Sequence, residues 1–501
     1  MALRQLSPMD SAWLMLESRD TPMHVGALFE FTPPEGEGAG WLAEEFERMR
    51  MARRIPPPWN LKLVDGPVVG HRLPLMGEDR NLDVDYHVRR SALPHPGGQR
   101  ELGILVSRLH SHQLDLHRPL WEAHVIEGLE GERFAIYIKM HHSLIDGVGG
   151  IRMILRAMAD KPEVRDLDPF WAVGEGGHRP AEGTDVEGST GGESDGADAP
   201  AEDSSNGGGF PLDPSKAVSM AADAIGGALG MGRGALELGK GALDSSPLQA
   251  PYRVPGSVLG SKLGGQRRFA TQQYAMPVIR ELAKKRGCTL NDIVLYLSST
   301  ALRRYLKEHA KLPGGALVTG IPVNVRDPSD EGAGNAVGIM IAELGTNIAD
   351  PIERLERIAA STTTAKKHLQ RLPPGGVIPY SLLLNLPYIT GLLAGMGSKA
   401  PTPYNLLVSN VPGPPEPLYY NGARLDAIFP LSLLMHGNAL NITCLSYAGT
   451  LNFGFTGARD TLPHLQKMAV YMGEALEELA GMLDEEVGEA RPLADAPPAG
   501  G

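Results

Sequence analysis

At 501 residues the chain is too long for one ordinary hydrophobic core, so two domains are expected. Its two cysteines, Cys288 and Cys444, exclude a disulfide framework and suit a reducing, cytoplasmic setting, as does the lack of any signal-like apolar run in residues 1–20. The net charge of −12 excludes the basic footprint of a nucleic-acid binder; much of it sits in residues 174–209, where nine carboxylates face one arginine.

In chain order, the first unit is expected over residues 1–173. Leu114, Leu116, Leu120 and Trp121 around Pro119 predict a packed strand with the indole in the core. Phe134, Ile136, Ile138 and Met140 then alternate with Ala135, Tyr137 and Lys139, the period of a half-buried strand, and His141 and His142 stand at its end. Gly147, Gly149 and Gly150 break regular structure before Ile151, Ile154, Leu155 and Met158 recur at helical spacing. Residues 174–214, rich in Gly, Ser, Ala and acid with almost no large apolar side chain, predict a disordered linker. Residues 215–250 carry Gly226, Gly230 and Gly234 four apart, the pattern of a closely packed helical connector.

A second α/β unit is expected over 251–484. Val278, Ile279, Leu282 and Ala283 form one helical face that Gly287 closes, and Thr289 caps the next helix with Asp292 in the reciprocal position. Strand-like runs follow at 316–323 and 337–344. The most apolar stretch, 381–397, is interrupted by Asn385 and Pro387 and too short to span a bilayer; it reads as a buried core helix or a surface that touches lipid. Leu440, Ile442 and Cys444 alternate, turn at Ala448-Gly449 and return as Leu451, Phe453 and Phe455, which predicts a hairpin. Residues 485–501, with three prolines, predict a frayed tail.

Chemistry is concentrated in His141-His142-Ser143-Leu144-Ile145-Asp146-Gly147, an HHxxxDG run. An imidazole titrates near ~6.5, so at neutral pH His142 can take a proton from a hydroxyl as it attacks a carbonyl. Asp146, four residues on, either orients that ring or pairs with an arginine to hold the loop, and Gly147 leaves room for substrate to approach the backbone. A metal site lacks a third ligand of matching type, and Ser143 lacks the setting of an activated nucleophile.

Leu6-Ser7-Pro8-Met9-Asp10, Arg118-Pro119-Leu120-Trp121-Glu122, Asn291-Asp292, Pro322-Val323-Asn324-Val325-Arg326, Gly334-Asn335 and Ser409-Asn410-Val411-Pro412-Gly413-Pro414 accompany that run in order. Together they resemble the bacterial wax ester synthase/diacylglycerol acyltransferase family from about residue 6 to about residue 479, broken only by the acidic insert. HHxxxDG alone is shared with the wider superfamily of chloramphenicol acetyltransferase, carnitine acyltransferases and condensation domains.

The resemblance implies an α/β fold of two chloramphenicol-acetyltransferase-like domains, with mixed sheets, flanking helices and an active-site tunnel at their interface. It implies acyl-coenzyme A as donor and diacylglycerol or a long-chain alcohol as acceptor, with no cofactor and no metal. In that scheme His142 is the general base, His141 supports it, and Asp146 structures the loop with Arg326 as its partner. Asn291, Asp292, Ser409 and Asn410 are the expected substrate contacts. Peripheral contact with a membrane or lipid droplet through the 381–397 stretch is a further expectation. A related transferase acting on a polyketide or small alcohol, and a non-catalytic lipid-binding protein, are the alternatives; an intact His142, Asp146 and Gly147 favour an enzyme.

Overall fold

The computed structural model describes residues 3–37, 40–52, 54–64, 74–145, 147–174, 251–324, 337–373, 376–482 and 491–492. Asp146, Arg326, the linker and connector (beyond Gly174) and most of the tail lie outside the described residues.

The first half supplies β1 (Arg4–Gln5), α1 (Pro8–Leu16), β2 (His24–Thr32), α2 (Gly40–Arg50), β3 (Leu61–Leu63), β4 (Leu75–Glu78), α3 (Val84–His87), β5 (Val88–Ala92), α4 (Gln99–Ser111), β6 (Trp121–Glu127), β7 (Phe134–His141) and α5 (Gly147–Leu155). The second supplies β8 (Arg267–Ala275), α6 (Met276–Lys285), α7 (Leu290–His309), β9 (Val318–Asn324), β10 (Val337–Glu343), α8 (Pro351–Gln370), α9 (Val377–Leu393), β11 (Leu406–Val411), β12 (Tyr419–Tyr420), β13 (Ala423–Leu431), β14 (Leu440–Tyr447), β15 (Thr450–Ala458), α10 (Gln466–Gly481) and β16 (Arg491–Pro492).

Two large mixed sheets result. One runs β12-β13-β2-β7-β6-β5 and the other β10-β9-β11-β14-β15-β8-β16. The halves are therefore interleaved: β12 and β13, from the second half, complete the sheet of the first, with Phe429 registered against Leu28.

β7 departs from its sequence pattern. It is buried along its whole length, not on one face only. Phe134, Ile136, Ile138 and Met140 enter one apolar cluster, while Ala135 and Tyr137 enter a second beneath α4. Lys139 thus has no route to water. Its ammonium donates to Leu109 O (3.2 Å) and His112 O (2.8 Å) at the end of α4 and pairs with Glu122 Oε2 at 3.2 Å. Period-2 alternation cannot distinguish solvent from a helix that offers polar groups at its end.

Local signals elsewhere match the structure. The Thr289 N–H donates to Asp292 Oδ2 at 2.8 Å in a capping box at the start of α7. The β14–β15 turn has positive φ at Ala448 (43°) and Gly449 (79°), the twist that suits a two-residue hairpin loop. Trp121 is fully buried, its Nε1–H donating to Trp59 O at 2.6 Å.

The sheets meet where β15 crosses β13. A β-carbon at Gly454 would lie 1.9 Å from Pro430 O, a clash with backbone that no side-chain rotation relieves. Gly454→Ala is expected to lower the unfolding free energy by about 1–3 kcal/mol, read as a lower urea midpoint. Gly260→Ala, where a methyl would meet nothing within 4 Å, is the control and should stay within about 0.5 kcal/mol of the parent.

Candidate active site

The His141 backbone N–H donates to Leu120 O at 2.9 Å, and one residue later the His142 N–H donates to Met23 O at 2.9 Å. A tight turn follows, with the Leu144 N–H donating to His141 O at 2.9 Å. The two rings meet different surroundings.

His141 is 1% exposed. Its Nδ1 accepts the Ser143 backbone N–H at 3.1 Å, with Ser143 Oγ at 2.7 Å, so the neutral ring carries its proton on Nε2. That nitrogen faces Glu17 Oε2 at 3.5 Å. With Nδ1 bonded within the turn, His141 is placed to hold it, and Ser143 is buried against it. His142 is only half-buried, its ring centroid 4.5 Å from that of Trp13.

Trp13 and Glu17 come from α1 and its exit. Ser7 Oγ accepts the Asp10 N–H at 3.0 Å and Pro8 opens the helix, so the Leu6–Asp10 phrase is a capping signal. Glu17 Oε2 accepts the Met23 N–H, and its Oε1 accepts from Gln113 Nε2 at 2.8 Å. The second half grips the same turn: the Arg267 guanidinium donates to Asp20 O at 2.8 Å, and a β-carbon at Gly265 would lie 2.6 Å from Arg19 O. Both halves therefore brace the segment that bonds the His142 backbone. Sequence reasoning missed Trp13, Glu17 and Arg267, because their role depends on contacts far apart in the chain.

Beneath the pair lies a buried polar ladder. Burial pushes His24 and His110 well below the usual histidine range, His110 to about 3, so both are neutral at pH 7. Burial pushes the Glu122 carboxyl up, but His124, Lys139 and Arg89 pull it down further, to about 2. Burial lowers Lys139 against the raising effect of Glu122.

The other expected residues divide. Gly147 begins α5, and a methyl there would meet nothing within 4 Å, so space is open beside the motif. The helix already includes Gly147, Gly149 and Gly150, which corrects the expectation that these glycines break structure. Gly150 packs: its β-carbon would lie 2.6 Å from Met140 Sδ. Asp146 and Arg326, the expected loop pair, fall outside the described residues.

Asp292 is 2% exposed, and its carboxylate accepts from Thr289 at both N and Oγ1 and from Thr362 Oγ1 at 2.6 Å. It joins α7 to α8. Asn291 is half-buried in the same first turn. Ser409 and Asn410 lie within β11, opposite Thr443 and Cys444. Val411, next in that strand, belongs to the same apolar cluster as Met140. Among the described residues no group of three or more His, Cys, Asp or Glu is arranged to hold a metal.

Comparison with known proteins gives the family and the fold. Residues 6–294 match the model of the wax ester synthase/diacylglycerol acyltransferase catalytic domain, and residues 333–480 that of the family's C-terminal domain. A Mycobacterium tuberculosis protein named as a diacylglycerol O-acyltransferase is 45% identical over 488 residues, covering 95% of this chain and 97% of its own. The solved wax ester synthase/diacylglycerol acyltransferase from Marinobacter aquaeolei VT8 is 32% identical with a TM-score of 0.74, covering 96% of this chain and 99% of that one. The first condensation domain of the calcium-dependent antibiotic synthetase, at 14% identity and a TM-score of 0.53 over 97% and 98% of the two chains, shares the fold.

The buried pair beneath the histidines has a measurable signature. Glu122 is held below its ordinary value of 4.5, so its stabilisation is present above that value and is lost as pH falls toward about 2. Glu122→Gln leaves Lys139 buried without its counter-charge and is expected to cost about 3 kcal/mol at pH 7. Urea unfolding at several pH values should also show a flatter loss of stability between pH 4.5 and about 2 in the variant than in the parent.

Proposed function

Because the chain belongs to the wax ester synthase/diacylglycerol acyltransferase family, we propose that it moves a long-chain acyl group from acyl-coenzyme A to the hydroxyl of diacylglycerol or a long-chain alcohol, with His142 as general base. The observation that carries this reading is the division of labour in the histidine pair. His141 is sealed at 1% exposure with its Nδ1 bonded to the Ser143 N–H, whereas His142 is half-buried against an aromatic wall. Only the second ring is placed to exchange a proton with a bound molecule.

In the proposed reaction, an imidazole nitrogen of His142 takes the acceptor's hydroxyl proton as its oxygen bonds to the thioester carbonyl carbon. The carbonyl π pair moves to oxygen. Collapse of the tetrahedral intermediate breaks the C–S bond, and coenzyme A leaves with the proton from His142. A thioester is already activated, so positioning, a base and an oxyanion donor suffice and no cofactor or metal is required. Direct transfer is favoured over an acyl-enzyme because Ser143, the hydroxyl beside the base, is buried against His141. Asp146 orders the loop with Arg326, Gly147 gives substrate access, and Asn291, Ser409 and Asn410 contact substrate.

Lipid acceptors are favoured over small polar ones by the wall beside His142. Trp13, Leu16, Met23, Tyr388, Leu392, Leu433 and Met435 form one apolar cluster. Through Tyr388 and Leu392 it continues into α9, a helix with no charged residue, where Leu382, Leu383 and Leu393 are 44%, 47% and 44% exposed. No helix among the described residues is long and apolar enough to cross a membrane. We therefore assign α9 as the surface that rests on a bilayer or lipid droplet, delivering acceptor toward His142.

Purified protein given palmitoyl-coenzyme A with hexadecanol or a diacylglycerol is expected to release free thiol, and folded His142→Ala should lose about 10²-fold or more of that rate. Undiminished release by the variant would contradict the assignment. The double substitution Leu382→Glu and Leu383→Glu is expected to cut sedimentation with phosphatidylcholine vesicles by about tenfold or more. Its turnover of a water-soluble short-chain alcohol should be unchanged.

A further inference from the structure

Trp13 carries a donor that the fold leaves unused. Its indole Nε1 is buried and has no hydrogen-bond acceptor among the described residues. Trp59 and Trp121, by contrast, donate to Val173 O and Trp59 O at 3.0 and 2.6 Å. Trp171 also leaves its donor unpaired, but it is sealed in an aromatic core against Trp121 and Phe170. Trp13 stands apart because its ring lies 4.5 Å, centroid to centroid, from the half-buried His142.

An indole nitrogen can only donate, and burying it unsatisfied is destabilising. Phenylalanine would fill most of the same apolar surface, formed with Met23, Tyr388 and Met435, without that cost. The penalty disappears if a bound molecule supplies the acceptor. Resting on the acyl-transfer reading above, we propose that the Trp13 indole N–H donates to the acyl carbonyl oxygen of the bound thioester and stabilises the oxyanion that forms there, making Trp13 a catalytic residue beside His142.

The electron accounting is local. When the acceptor oxygen bonds to the carbonyl carbon, the C=O π pair becomes a third lone pair on the oxygen that Trp13 contacts. The hydroxyl proton is then on His142, so the oxyanion and imidazolium form together, one facing the indole N–H and the other the indole ring. The N–H stabilises the anion, and the π face the cation. When the C–S bond breaks the pair returns to C=O and the donor reverts to a carbonyl contact. Because the interaction strengthens only in the transition state, its removal lowers kcat and leaves KM nearly untouched.

Two replacements separate donor from wall. Trp13→Phe keeps an aromatic face, and benzothienylalanine incorporated at position 13 keeps the full indole shape with sulfur in place of N–H. For both, kcat of thiol release is expected to fall about tenfold or more. KM for acyl-coenzyme A should stay within about twofold, and the pH at which kcat/KM rises should not move, since the base is intact.

A binding arm needs no turnover. Both replacements should weaken a ketone analogue of acyl-coenzyme A, in which a methylene separates sulfur from the carbonyl, yet bind an S-alkyl-coenzyme A that lacks a carbonyl as tightly as the parent does. Equal affinity of parent and replaced proteins for the ketone, or an unchanged kcat, would overturn the proposal. If the parent released no thiol with any alcohol, the acyl-transfer reading would fall, while the ketone-against-alkyl comparison would still decide whether Trp13 donates to a carbonyl.

Discussion

The site depends on a strand buried on both faces that ends on two histidines. β7 is packed against one apolar cluster on one side and α4 on the other, so its termination is fixed by the core and not by a surface loop. Its last residue, His141, is sealed in the fold, with Nδ1 accepting the Ser143 N–H and Nε2 facing Glu17 at 3.5 Å. The next, His142, keeps its backbone in the ladder through Met23 O but places its ring beside Trp13. A side chain held at the end of a rigid strand retains little conformational freedom, which is what the proposed in-line attack on a thioester would require.

Long-range bracing sets the rest. Glu17 contacts both Met23 and His141, and Arg267 from the other half fixes the turn between them through Asp20 O. β12 and β13 cross from the second half into the first half's sheet, and β15 presses on β13 where Gly454 leaves no room for a side chain. The fold thus places His142 through contacts made by residues far from it in sequence. Displacing one half against the other would loosen His142 without touching its ring.

Local chemistry was legible in the sequence to the extent that it is written locally. The Thr289–Asp292 capping box, the Ala448-Gly449 hairpin and the burial of Trp121 follow from spacing and residue type alone. The histidine pair was legible as a candidate base for the same reason. What failed needed partners in three dimensions. Lys139 looked solvent-facing because its counter-charge, Glu122, lies on another strand and its carbonyl acceptors at the end of α4. The capping partner of Asp292 was written locally, but Thr362, seventy residues on, was not visible as its second partner. Trp13 sits in α1 and Glu17 at its end, and nothing local indicates that they lie against residues 141 and 142.

The central claim is that His142 meets the acceptor hydroxyl. A crystal structure of the chain with a non-reactive ketone analogue of acyl-coenzyme A and a long-chain alcohol tests it most directly. The account predicts the alcohol oxygen within about 3.2 Å of a His142 ring nitrogen and about 3–3.5 Å from the ketone carbon. An alcohol bound away from that ring, with the ketone carbon facing a different side chain, would contradict it.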